Sequence, residues 1–120
     1  MMSQDVTNIY KQNQVNTASP KELLILLYEG CIKFLRLAEV GIEENKIDLV
    51  NKNLIKAQNI ISELLNTLDT EVESDVTEQL ASLYEFFLDE LLQANIDKDV
   101  NRIIYVREQM RDLLEAWKKI

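Results

Sequence analysis

No histidine occurs in these 120 residues, and there are only one cysteine, one proline and two glycines. The missing imidazole removes the commonest general base and the commonest nitrogen ligand for a metal. It also excludes the paired Glu-x-x-His arrangement of di-iron helical bundles. A lone thiol, Cys31, rules out an internal disulfide. So few glycines and prolines leave little material for hairpin turns or for a Gly-rich phosphate loop. Positive charge is scarce as well: 13 basic residues face 21 acidic ones, for a formal charge of −8. Nonspecific nucleic-acid binding therefore has no whole-chain electrostatic support, and the only dense basic stretch is Lys118-Lys119. No uncharged apolar run is long enough for a membrane helix, and no signal-peptide pattern opens the chain. These absences point to a cytosolic protein, with no nucleic-acid partner, no direct membrane insertion and no cofactor.

What is present is helical. With 47% hydrophobic and 28% charged residues, the composition is that of a folded domain, and the length suits one. The clearest start signal lies at Thr17 to Glu22. Ser19 can cap a helix, Pro20 fits its first position, and Glu22 completes a capping-box pattern. The first helix is expected from about Pro20 to Glu44. Leu24, Leu27, Tyr28, Cys31, Leu35, Ala38 and Ile42 form its main stripe, and Leu23, Leu26, Phe34 and Leu37 a second one beside it. Gly30 and Gly41 inside this pattern mark either close helix contacts or plain tolerance.

After a break at Asn45-Lys46, Ile47, Val50, Leu54, Ala57, Ile61, Leu64 and Leu68 alternate spacings of three and four through a second helix, with Leu49 and Ile60 on its flank. The acidic stretch Asp69–Asp75 has the look of a calcium loop, but Ser74 and Leu80 stand where that template needs Gly and a carboxylate. It reads better as a connection, with Ser74 or Asp75 capping a third helix. That helix should run from about Val76 to Ala94, with Val76, Leu80, Leu83, Phe87, Leu91 and Ala94 as its main face and Tyr84, Leu88 and Leu92 as a second row. A fourth, from about Lys98 to Lys118, presents Ile103, Val106, Met110, Leu113 and Trp117 to the core. Short connections force sequence neighbours to run antiparallel. The expected fold is therefore all-α: an antiparallel four-helix bundle over residues 19–120, preceded over residues 1–18 by a mobile N-terminal arm, in which Ile9 and Tyr10 either dock on the body or belong to a short helix.

Nothing in this pattern supplies catalytic chemistry. Cys31 falls on an apolar face with no base to activate it, and adjacent carboxylates such as Glu43-Glu44 point about 100° apart on a helix. Binding remains. The surplus apolar residues outside the main seams either close the bundle or leave a strip open as a groove for a partner helix.

Several segments resemble the flagellar export chaperone family FliS. They are Tyr10 to Leu24, reading Tyr-Lys-Gln-Asn-Gln-Val-Asn-Thr-Ala-Ser-Pro-Lys-Glu-Leu-Leu; Leu27 to Cys31; Asn53 to Leu64; Leu83-Tyr84; Ala94 to Ile96; and Glu115 to Lys118. The resemblance spans nearly the whole chain from Tyr10. It implies a bundle that binds the disordered C-terminal segment of flagellin on an apolar surface, keeps flagellin from polymerising early, and supports its export without ATP. It also implies an arm, including Tyr10, that covers the site and is displaced by flagellin. Delivery to the flagellar export gate follows for the family, and binding of an anti-sigma factor for some members. A regulatory adaptor for such a factor is the alternative function. A monomer or weak dimer is expected. Two departures remove positive charge: Phe86 to Leu91 stand where the family commonly has paired arginines, and Leu114 stands where an arginine often precedes the acidic-Ala-Trp run.

The candidate contact residues are Ile9, Tyr10 and Val15 on the arm, assigned through the resemblance, and Leu23, Leu26, Leu49 and Ile60, assigned from helical spacing. Ordering a disordered tail costs roughly 1–2 kcal/mol per residue. Only a long apolar contact, at about 25 cal/mol per Å², offsets that.

Overall fold

A computed structural model describes residues 19–68 and 74–120. Four helices occupy them: α1 (Pro20–Glu43), α2 (Ile47–Thr67), α3 (Asp75–Asp97) and α4 (Val100–Lys118). No strand occurs among the described residues. Each helix packs on its sequence neighbour, and α4 closes the ring against α1. The result is the four-helix bundle that the spacing predicts.

Local chemistry sets the helix ends. The Ser19 hydroxyl accepts from the Glu22 backbone N–H at 3.1 Å, and Pro20 takes the first turn. Ser74 does the same for α3 through the Thr77 N–H at 3.1 Å, and Asp99 caps α4 through the Asn101 N–H at 3.0 Å. These side chains satisfy backbone donors that a helix start leaves without intrahelical partners. Lys98, expected as the first residue of the last helix, instead ends α3 in the left-handed conformation, with φ 52°. Its ammonium bonds Asn51 Oδ1 at 2.7 Å and both the backbone and side-chain oxygens of Asn95 at 2.6 Å. Those bonds hold a backbone state that costs a non-glycine residue roughly 1–2 kcal/mol.

One core runs the length of the bundle. Leu35, Leu54, Ile61, Leu91, Ile103 and Met110 are among its fully buried members. Gly41 lies where α1 crosses close to α2. A Cβ there would stand 2.8 Å from Val50 Cγ2 and 3.0 Å from the Val50 nitrogen, so α1 and α2 are nearly in backbone contact.

Three assignments of the sequence pattern are corrected here. Ile47, placed in the seam of the second helix, is 51% exposed, because it opens α2 at the rim of the bundle. Val76 is 64% exposed, because it sits in the first turn of α3 at the rim of the bundle. Tyr84, placed in a secondary row, is wholly interior: its hydroxyl meets that of Tyr28 at 2.5 Å, across the core from α1 to α3.

Candidate functional site

At the end of the bundle where α1 starts and α4 finishes, the helices part and leave an apolar groove of about 460 Å³. Leu23, Leu24 and Leu27 form one wall, and Trp117 and Ile120 the other; Thr67, the last residue of α2, borders it. The Ser19–Pro20 start places the three leucines here, on the first two turns of α1. The Lys21 ammonium donates to the backbone oxygen of Ile120, tying the two walls together. Leu27 is buried, Leu23 and Leu24 are half-buried, and Ile120 is 81% exposed, so the groove grades from core to solvent.

The groove's lining is mainly apolar, and Lys21 is the one charged side chain among the described residues that line it. Tyr28 and Cys31 follow on α1 and face the core. Burial weakens Tyr28 and Tyr84 as acids, raising the pKa of each above the ordinary tyrosine range. Burial also pushes the Cys31 thiol far above its usual value of 9.0; its sulfur lies 3.9 Å from the Ala57 carbonyl. A thiol held protonated and enclosed is not a nucleophile. Among the described residues no set of three or more Cys, Asp or Glu side chains is placed to hold a metal.

The residues chosen from spacing do not form one strip. Leu23 lines the groove. Leu26, half-buried, sits one turn along α1 and does not line it. Leu49 lies at the opposite end of the bundle, beside a separate depression formed by Asn45 to Lys52. Ile60 is fully buried and belongs to the core, which corrects its placement on a flank. On α2, positions 53 and 60 turn inward along with 50, 57 and 64, because the helix is enclosed over a wider arc than a single seam. Ile9, Tyr10 and Val15 lie outside the described residues. Spacing points to only one wall of the groove: it sets Trp117 toward the core, and Ile120 follows the last helix, where no periodicity marks it.

The family model described as flagellar protein FliS matches residues 2–120 of this chain. The chain is 42% identical to the flagellar secretion chaperone FliS of Bacillus subtilis over 119 residues, covering 99% of this chain and 88% of the relative. Identity to the flagellar secretion chaperone FliS of Campylobacter jejuni is 35% over 113 residues, 94% of this chain and 88% of the relative. For the flagellar secretion chaperone FliS of Escherichia coli it is 32% over 118 residues, 98% and 87%.

Proposed function

The chain belongs to the FliS family of flagellar secretion chaperones, and from that premise we propose that its client is the disordered C-terminal segment of flagellin, bound in the groove between α1 and α4. The observation that carries this reading is the apolar wall of Leu23, Leu24 and Leu27 facing Trp117 and Ile120. A groove of this kind takes the apolar side chains of a segment that becomes helical on contact. Binding hides surface that flagellin would otherwise use to polymerise, and the bound form is the one passed to export. The work is done in the cytosol, without catalysis.

The arm joins α1 at Ser19, beside Pro20 on the groove's edge. In this reading Ile9, Tyr10 and Val15 lie over the groove until flagellin displaces them. Competition of that kind lowers apparent affinity by the fraction of uncovered sites and shields the apolar surface when no client is present. Delivery to the flagellar export gate belongs to the same proposal. No feature of the described residues favours the adaptor role toward an anti-sigma factor.

Titration calorimetry against a peptide from the flagellin C-terminus tests the reading, with the full chain and with residues 1–18 deleted. One-to-one binding with a negative heat-capacity change, tighter after the deletion, is the expected result. Absence of binding to both forms would overturn it.

A further inference from the structure

We propose that the face formed by α3 and α4 is a second docking surface, one that takes a cationic amphipathic helix of another protein. Its exposed apolar groups are Phe86 and Tyr105, on the facing flanks of α3 and α4, with Val76 and Ile120 where α3 starts and α4 finishes. Phe86 and Tyr105 meet edge to face, their centroids 6.1 Å apart, yet each is 44% exposed. Beside Phe86 an open groove of about 530 Å³ runs back along α3 to Asp75. It shares Gln79 and Leu83 with a smaller depression of about 290 Å³ that reaches Trp117. Exposed aromatic and aliphatic groups gathered on one face mark a contact surface, whereas scattered ones do not.

Charge selects the occupant. α3 carries Asp75, Glu78, Glu85, Asp89, Glu90 and Asp97 and no basic residue. Glu90 is paired with Arg102 at 3.0 Å. Asp75, Glu78, Glu85 and Asp89 are exposed and take part in no ion pair among the described residues. An acidic rim around an apolar strip complements a helix with an apolar face edged by Lys or Arg, and aromatic faces at Phe86 and Tyr105 add cation–π attraction. The same charges disfavour nucleic acid and anionic membrane. They also disfavour a second copy of this chain, since symmetric pairing would set one acidic helix against another. The surface is separate from the groove proposed for flagellin over most of its length, although Trp117 and Ile120 border both.

The test uses the full chain and two designed peptides of roughly five helical turns. One has a leucine face edged by lysines; in the other, glutamate replaces every lysine. Neither contains tryptophan, so emission from the protein's single tryptophan, Trp117, reports binding. The lysine peptide should change that emission saturably, bind about tenfold more weakly as salt shortens the screening length, and lose at least about tenfold in affinity to the Phe86→Ser/Tyr105→Ser variant. Ile55→Ser, at an exposed position on α2, should leave binding unchanged. Equal binding of both peptides, no saturable change with the lysine peptide, or unchanged affinity in the double variant would overturn the proposal.

Discussion

Tyr28 and Tyr84 hold their hydroxyls 2.5 Å apart in a core with no solvent contact. Each is the other's polar partner, so removing one strands the other. Tyr28→Phe or Tyr84→Phe should cost about 1–3 kcal/mol in a urea titration, and the double change less than the sum of the two. A second interior pair joins α1 to α4. Arg107 places Nε and Nη2 on the two carboxylate oxygens of Glu39, with both residues under a tenth exposed and Arg36 nearby at 3.7 Å. Breaking it by Glu39→Gln or Arg107→Met leaves a buried charged or polar group without its partner and should cost about 3–5 kcal/mol, whereas the joint change Glu39→Leu/Arg107→Met should come much closer to neutral. Neither pair was legible in the sequence. Tyr84 belongs by spacing to a row beside the main stripe. Glu39 and Arg107 stand next to stripe positions 38 and 106, and nothing in the spacing marks them as interior. Spacing locates a residue around a helix axis; it does not show how far the partner helices reach around that axis.

Helix existence and order followed from the pattern because every helix combines a long apolar stripe with a start signal or a break. Boundaries were less legible where two signals competed. Lys98 begins a helical-looking run, but Asp99 is the better cap, and Lys98 ends α3 with its ammonium held by Asn95 in the last turn of α3 and by Asn51 of α2. The caps themselves are testable. Ser19→Ala and Ser74→Ala each remove one acceptor for a first-turn N–H, and each should lower stability by about 1 kcal/mol in denaturant unfolding without altering the far-ultraviolet dichroism of the folded protein. The groove was half legible for a related reason. Leu23 lies on a helix with clear periodicity, while the opposing wall ends in residues that become neighbours of α1 only when the bundle closes.

For the whole molecule, the interior ionisable groups set the response to alkali. Tyr28, Tyr84 and Cys31 all hold their protons in the folded state beyond the ordinary values of 10.0 for tyrosine and 9.0 for cysteine. The unfolded chain releases those protons first, so above about pH 9 the native state binds more protons than the unfolded one and stability falls as pH rises. The urea midpoint should therefore decline from about pH 9 upward. At neutral pH a thiol reagent should modify Cys31 only as fast as the protein opens, and adding denaturant should accelerate the modification steeply. The groove depends on the same closure. Its walls are contributed by segments nearly the full sequence apart, as the Lys21 to Ile120 bond shows with a separation of 99 positions. All other neighbouring helices are joined by short connections and can pair early, whereas α4 must find α1 across the two helices between them. The binding surface is then among the last features to form as the chain folds and among the first to vanish when α4 lifts away. Availability of the groove becomes a matter of timing: a chain still being synthesised has no such surface to offer, and only the finished bundle presents both walls.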